Sequence, residues 1–296
     1  MAANAYQSVN KITNKGPVML TLNNIYRPIT AQPFLRDETY TELQPCEALK
    51  PYICCFWFAQ KQHSGLTSTE VKDKLVIPDT CMDIIFNIDK DKNQLHGLFA
   101  GISDATFMDK GKNAGTSTCF AIRFYSWAVP LFSHQSMKNA LNSFGEVETY
   151  FTSLKKDLHG ILTETRLIPD TVDKAEQYLL KRLDSRKQNN NVMNAVYKVL
   201  RSKGTSDISE LAGFTAVSQR QLERLFLEYV GVSPKKLSGL VRYQYLWQDI
   251  LVDGNFDLQD AVYKYGYTDQ AHLHKDFKKY HTMSPWEARR FAYRTI

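Results

Sequence analysis

Two stretches near the C-terminus set polar and basic side chains around an apolar stripe. Residues 218–230 present Gln219, Arg220, Gln221, Glu223 and Arg224 around an apolar stripe of Leu222, Leu225, Phe226 and Tyr229. Residues 269–280 present Gln270, Ala271, His272, Lys275, Lys278 and Lys279 around Leu273, Phe277 and Tyr280. Arginine pairs bidentately with guanine O6 and N7, and glutamine with adenine. That chemistry makes Arg220, Arg224, Lys275 and Gln270 candidates for DNA contact. Lys278 and Lys279 suit phosphate, where contacts position without specifying sequence. His272 suits either a base or a phosphate. Ser218 and Asp269 stand at the mouths of the two stretches as N-caps.

Other groupings offer different chemistry and carry less. Cys54-Cys55, adjacent in an apolar run, invite a redox switch, but with no charge cluster nearby to lower a thiol pKa they read as buried and inert. A four-thiolate zinc site would need Cys46, Cys54 or Cys55, Cys81 and Cys119 to converge, and no C-x-x-C spacing supports one. Asp79 and Asp83 fall on one side of a strand, where a carboxylate pair would sit, and also read as plain turn and strand-edge residues. His272 and His274 are two apart on a helix and do not share a metal-binding face. His63, His96, His134 and His159 show no ordered relation to a nucleophile, and no glycine-rich phosphate loop is present. No catalytic residue, metal or cofactor is therefore expected. The alternative from another class is a thiol- or metal-dependent sensor, or an alkyl-transfer enzyme, in the N-terminal part. Bound zinc, or a mass shift on Cys54, Cys55 or Cys81 after alkylation, would mark it.

The elements that must position the two stretches repeat. Leu222, Arg224 and Phe226 recur as Leu273, Lys275 and Phe277, and Ser233-Pro234 as Ser284-Pro285, all 51 residues later. Upstream, Leu211-Ala212 aligns with Asp260-Ala261 at 49, which puts a two-residue length change in the turn of each unit. In the first unit Asp207 caps a short helix, with Glu210 placed to reach back, and residues 213–217 leave room only for a tight turn. Ser218 and Gln221 form a second capping box that opens a helix over 219–230, and Gly231 follows as its C-cap. The second unit runs from Leu258 through Gly266 to a helix over 270–280. Between them, residues 234–252 predict one long amphipathic helix ending at Asp253-Gly254. Two short helices joined by a tight turn, the second polar and basic outside, describe a helix-turn-helix.

The 296 residues are 43% hydrophobic and 23% charged, enough for two domains with cores and too mixed for a disordered chain. Arg123 interrupts the longest apolar window, residues 119–132, so no membrane span is expected. Residues 1–11 are polar and lack the pattern of a secretory signal. The net charge of +6 is unevenly spread: residues 189–296 hold 15 Lys/Arg against 11 Asp/Glu, a mild bias toward a polyanionic partner. Five cysteines, an odd number without regular spacing, suggest reduced thiols in cytoplasm.

From Leu43 to about Phe132 short aromatic runs bounded by Gly, Pro, Asn and Asp predict strands, with breaks at 89–93 and 111–115. Their spacing suits a small barrel or sandwich. Met137, Leu141 and Phe144, then Val147, Phe151 and Leu154, recur at helical spacing. Val172, Ala175, Leu179 and Leu183 form a further stripe over 171–183, which suits either a dimer helix or packing on its own domain. Residues 184–191 lack any apolar side chain and predict the linker. The fold class expected is α+β: a β-rich domain over 1–186 with a helical tail at about 133–184, then an all-α domain over 187–296. The two units of the latter lie at about 206–231 and 257–282.

These residues resemble a known family. Ile208-Ser209-Glu210-Leu211-Ala212, Ser218-Gln219-Arg220-Gln221-Leu222-Glu223-Arg224-Leu225-Phe226 and Gly231-Val232-Ser233-Pro234-Lys235-Lys236-Leu237 look like the AraC/XylS-type DNA-binding domain. So do Arg242-Tyr243-Gln244, Gly266-Tyr267-Thr268-Asp269-Gln270-Ala271-His272-Leu273 and Phe277-Lys278-Lys279. The likeness covers residues 194–289, about a third of the chain. Thr282 and Ala216 depart from it, standing where the family usually has glycine. Leu49-Lys50-Pro51-Tyr52-Ile53, Trp57, the run from Pro78 to Phe86 and Ile122-Arg123-Phe124 are similar to a domain often found ahead of this type. The resemblance implies a transcription regulator on a double-stranded DNA operator, with a sensing or dimerising N-terminal domain open to a small-molecule effector or a second subunit.

Overall fold

In the segment from Cys81 to Asp89 apolar side chains fill every even position, which commits a strand to burying that face. The computed structural model describes residues 22–29, 40–60, 74–89, 92–109, 118–165 and 167–294. The polar N-terminus at 1–11, the break at 111–115 and His63 lie outside them.

The first part of the chain holds α1 (Leu22–Ile25), β1 (Tyr40–Leu43), β2 (Ile53–Gln60), β3 (Lys74–Val76), β4 (Cys81–Asp89), β5 (Gln94–Ala100), β6 (Phe107–Asp109), β7 (Thr118–Tyr125) and β8 (Phe144–Glu146). Six strands form one antiparallel sheet in the order β1-β2-β7-β4-β5-β8, and β3 pairs separately with β6. Met82, Ile84, Phe86 and Ile88 are buried on the core face with Phe56, Phe58, Phe120, Ile122 and Phe124. Phe120 stacks between Phe56 and Phe86, at ring-centroid distances of 6.0 and 6.4 Å. Leu154, Leu158 and Leu162 of α2 (Leu154–Glu164) are buried in the same core.

Residues 133–153 are not helical, contrary to the spacing of Met137, Leu141 and Phe144. They form turns, a short 3-10 segment and β8, which pairs with β5 through Phe99 and Gly145. Met137, Val147 and Phe151 are buried in the core from successive turns, whereas Leu141 and Phe144 are exposed, so the three-and-four spacing does not mark one buried face. The stripe at 171–183 belongs to α3 (Ile168–Arg182) and is covered within its own region. Val172, Ala175 and Leu179 are buried, and the Cys46 amide donates to Glu176 at 2.6 Å. The apolar-free stretch at 184–191 is held rather than free: the Asp184 amide donates to the Leu131 carbonyl, and Lys187 Nζ to that of Ser133.

A helical C-terminal domain follows: α4 (Asn190–Arg201), α5 (Ile208–Thr215), α6 (Gln219–Tyr229), α7 (Pro234–Val252), α8 (Leu258–Lys264), α9 (Gln270–His281) and α10 (Pro285–Arg294). Ser233 caps α7 at the Lys236 amide, and Pro234 occupies its first turn. Among the described residues no helix is long and apolar enough to cross a membrane.

The β-sheet region and the helical domain share one continuous cluster of buried residues. At the junction Gln244 of α7 is fully buried. Its amide donates to the Pro78 carbonyl at 2.7 Å, and its carbonyl accepts from the Ile29 amide at 2.8 Å. Residues 22–29 lie along α7, with Gln248 donating to the Arg27 carbonyl, Tyr245 to that of Ile25, and Tyr26 packed against the Tyr245 ring at 5.4 Å. Gln244→Leu keeps the volume but orphans two buried backbone groups at ~1–3 kcal/mol each. The expected loss is about 3 kcal/mol by the same rule, read as a lower denaturant midpoint with an unchanged slope.

Candidate nucleic-acid interface

Each unit is built from two caps and two left-handed turns. In the first, the Asp207 carboxylate accepts from the Glu210 amide at 2.8 Å and starts α5, and Ser218 accepts from the Gln221 amide at 3.2 Å and starts α6. In the second, Asp257 accepts from the Gln259 and Asp260 amides to start α8, and Asp269 from the His272 amide at 2.7 Å to start α9. Among the described residues neither Glu210 nor Gln221 returns a bond to its cap. The reciprocal pair stands at α10, where the Ser284 amide donates to Glu287 at 2.8 Å and the Glu287 amide to Ser284 Oγ.

The caps correct the repeat. Asp207 and Asp257 are 50 apart, as are the left-handed residues Ala216 (φ 54°) and Gly266 (φ 64°). Ser218 and Asp269 are 51 apart, as are the left-handed Gly231 and Thr282. The turn therefore differs by one residue, not two. Leu211 pairs with Ala261 and Ala212 with Val262, all four buried. Gly213 is also helical rather than part of the turn, because α5 runs on to Thr215 and reverses at Ala216.

Leu222, Leu225 and Phe226 of α6 and Leu273 and Phe277 of α9 are buried, which leaves the other faces outward. Gln219, Arg220, Gln221, Glu223 and Arg224 are all exposed, and so are Gln270, Ala271, His272, Lys275, Lys278 and Lys279. Ser218 and Asp269 are exposed as well, with one side-chain oxygen of each committed to its cap. Gln270 Nε2 donates to Gln259 Oε1 of α8 at 3.0 Å. His272 meets Tyr267 edge-on at 5.2 Å and lies 3.4 Å from the Thr268 amide, so it braces the turn beneath it.

Sequence reasoning missed the residues that aim α8 and α9. Asp276, on the inner side of α9, accepts from Arg242 Nη2 of α7 at 2.9 Å and from the Tyr267 hydroxyl at 3.2 Å. The Arg242 guanidinium lies 4.6 Å from the Tyr267 ring centroid. Asp249 of α7 accepts from the Tyr265 hydroxyl and Lys264 Nζ, each at 2.6 Å. The one signal was an acidic residue on each apolar side of a helix. His281 closes α9 in an apolar site, its Nδ1 2.7 Å from the Tyr243 hydroxyl and its ring stacked on Phe277. Burial drives its pKa down to about 4.

The remaining chemistry gathers on the other face of the sheet. Asp79 and Asp83 converge on Arg123, which donates to Asp83 through Nε at 2.9 Å and Nη2 at 2.8 Å and lies 3.7 Å from Asp79 through Nη1. Trp57 Nε1 also donates to Asp83. Burial raises the Asp79 pKa to about 6 despite Arg123. This cluster sits beside the thiols, so the expectation of no charge nearby is overturned. Hydrogen bonds from Cys55 and Cys81 hold the Cys54 thiol below its ordinary value, while those two are pushed up. Cys54, Cys55 and Cys81 are nonetheless buried, and among the described residues no group of three or more His, Cys, Asp or Glu is arranged to hold a metal ion.

Two helix-turn-helix units on one connecting helix define a DNA-binding protein. Residues 211–290 match the family model described as Helix-turn-helix domain, and residues 41–145 that described as Domain of unknown function (DUF6597). The chain carries an AraC-type helix-turn-helix domain at its C-terminus and is a DNA-binding transcription regulator. The helix-turn-helix match points to regulation rather than enzymatic activity. No curated protein matches the sequence significantly. Among solved structures the chain is similar to ToxT from Vibrio cholerae, at 13% identity over 80% of this chain and 98% of that one, with a TM-score of 0.39. It is also similar to ToxT bound to (E)-4-(8-methylnaphthalen-1-yl)but-3-enoic acid (12%, 77% and 97%, TM-score 0.38). The unsaturated fatty acid bound form gives 13%, 71% and 87%, with a TM-score of 0.34. Overlap this low transfers neither residues nor ligands.

Ala216 is a left-handed residue with a Cβ. Relieving that strain is worth ~1–2 kcal/mol, against ~0.4–1 kcal/mol for the freer unfolded chain of glycine. Ala216→Gly should therefore stabilise the protein by about 0.5–1 kcal/mol, read as a raised Tm. His281 gives a pH dependence. Its folded pKa lies below the ordinary 6.5, so the stability it supports is intact above pH 6.5 and is lost as pH falls toward about 4. His281→Gln should flatten that part of a stability-versus-pH curve measured by denaturant unfolding.

Proposed function

We propose that the protein reads two neighbouring half-sites of an operator, inserting α6 and α9 into successive major grooves on one face of the DNA. The observation that carries this is the matched pair of capped helices, each with an exposed polar and basic face, fixed to one connecting helix. Successive major grooves on one face lie ~34 Å apart, the span the connecting helix has to set. Arg220, Arg224 and Gln270 are assigned to bases, Lys275 and His272 to bases or phosphate, and Lys278 and Lys279 to phosphate. Gln219, Gln221, Glu223 and Ala271 border the grooves, and Ser218 and Asp269 place the N-terminal amides of their helices toward phosphate. Residues 187–296 form this reading domain and residues 1–186 the sensing domain, in a protein working in the cytoplasm without a cofactor.

The effector is assigned to the second sheet face, where Tyr40, Trp57, Ile85 and Leu98 surround Arg123 and Asp83. All six side chains are only partly buried there. The α3 stripe is covered inside its own region, so no dimer contact is placed on it. A cysteine alkyl acceptor gains no support, since a DNA base has no path to thiols at most 4% exposed.

Fluorescence anisotropy on the duplex upstream of the coding region, against a scrambled duplex across a salt series, tests the reading. A preference of several hundredfold, with affinity falling steeply as salt rises, is the expected result. Arg220→Ala and Gln270→Ala should lose ~1–3 kcal/mol on the native duplex and little on the scrambled one. Lys278→Ala should weaken both alike and lower the salt slope by about 1. Equal losses from all three variants would reassign Arg220 and Gln270 to phosphate.

A further inference from the structure

The last turn of a helix leaves carbonyls without partners, and something outside the helix must supply donors. In both reading helices the β-sheet region supplies them. The Glu228 carbonyl of α6 accepts from the Met137 amide at 2.8 Å and from Ser136 Oγ at 3.4 Å. The Tyr280 carbonyl of α9 accepts from Thr106 Oγ1. Gly231, just past α6, is so closely covered that a Cβ there would lie 3.0 Å from the Met137 carbonyl oxygen and 3.2 Å from Ala140 Cβ. Asp104 is paired with Lys236 in the first turn of α7.

The two gripping loops, residues 101–106 and 136–143, are tied to each other. Asn142 Nδ2 donates to the Asp104 carboxylate at 2.8 Å, and Asn142 Oδ1 accepts from the Asp104 amide at 3.1 Å and from Ser103 Oγ at 3.3 Å. The Asn142 amide donates to the Ile102 carbonyl and the Gly101 amide to that of Ser143. At Gly101 a Cβ would fall 1.8 Å from the Ala140 carbonyl oxygen, so the loops touch backbone to backbone. Asn142 holds φ at 51°, a conformation glycine adopts freely.

We infer that these cross-tied loops are a brace that fixes the distance and angle between α6 and α9, making Asn142 and Asp104 determinants of the operator spacing the protein accepts. The inference rests on α6 and α9 being the reading helices. Neither residue is assigned a DNA contact. Each acts through the helix ends that the loops hold, as a second strut beside α7. One base pair inserted between half-sites moves the second by ~3.4 Å and turns it by roughly 35°. A braced pair of helices cannot follow that change, whereas a pair joined through α7 alone has one restraint fewer.

The test uses the full chain and Asn142→Gly, which removes the three side-chain bonds of the cross-tie, leaves its backbone bonds and suits the left-handed backbone. Duplexes are selected by the wild-type chain from a random pool. Anisotropy then gives the ratio of affinities for the selected duplex and for the same duplex with one base pair inserted between half-sites. The brace predicts a ratio of tenfold or more for the wild type and below threefold for Asn142→Gly, with Gly101→Ala, which forces the loops apart, shifted the same way. A purely structural role would lower both affinities and leave the ratio unchanged, which overturns the inference. Tighter binding by Asn142→Gly to both duplexes alike would also overturn it, since the loops would then oppose binding. Failure of the wild type to select any duplex would sink the reading helices themselves, and the brace with them.

Discussion

Everything in this structure answers to α7, a helix of 19 residues that has to satisfy three neighbours at once. One side receives the turn leading into the first unit, where Gly204 approaches so closely that a Cβ would lie 2.1 Å from the Ser238 carbonyl oxygen. Another receives the second unit through Arg242, Asp249 and the Tyr243–His281 contact. A third receives the β-sheet region through Gln244. A side chain able both to donate and to accept is the only kind that closes the gap between the Pro78 carbonyl and the Ile29 amide, and no apolar residue substitutes for it. The length of α7, about 28 Å at 1.5 Å per residue, thus becomes a property of the whole molecule rather than of a linker.

The legible parts of the sequence were those set by local rules. Asp207, Ser218, Ser233 and Asp269 cap helices because a short oxygen-bearing side chain reaches an amide three residues on, a relation visible in any sequence. The limits of α7 and the strands at Cys81–Asp89 and Thr118–Tyr125 followed from periodicity and breakers in the same way. Illegible were the contacts between residues far apart in sequence. Arg242 and Asp276 are 34 residues apart, and Gln244 and Pro78 are 166 apart. Nothing in the composition around Asn142 announces a tie to Asp104. Spacing misled at residues 133–153, where Met137, Val147 and Phe151 enter the core from separate turns while Leu141 and Phe144 stay exposed. The polar stretch at 184–191 misled in another way: side chains without apolar groups can still be anchored through backbone and lysine hydrogen bonds.

The two units agree in plan and differ in where they tolerate strain. Each has a left-handed residue at its internal turn and another at its exit. The first unit has Ala216 inside and Gly231 at the exit, and the second has Gly266 inside and Thr282 at the exit. Gly231 has no alternative, since the Met137–Ala140 loop lies directly on it. Thr282 is exposed, and its hydroxyl returns a bond to the His281 carbonyl. Close packing selects glycine at one exit, and a side-chain bond offsets its absence at the other.

The continuous core has a consequence for how the molecule can be taken apart. Phe120 deep in the sheet and Leu240 on α7 belong to one buried cluster, with Tyr26, Met82 and Met137 among the residues between them. A cut at residues 184–191 would uncover Gln244, Gly231 and the Tyr245 ring together, and leave the Glu228 and Tyr280 carbonyls at the ends of α6 and α9 without their donors from the β-sheet region. A shared core of this kind is expected to melt as one cooperative unit, with neither half an autonomous module in the thermodynamic sense. Evolutionary exchange of one half for another would have to carry the matching surface with it.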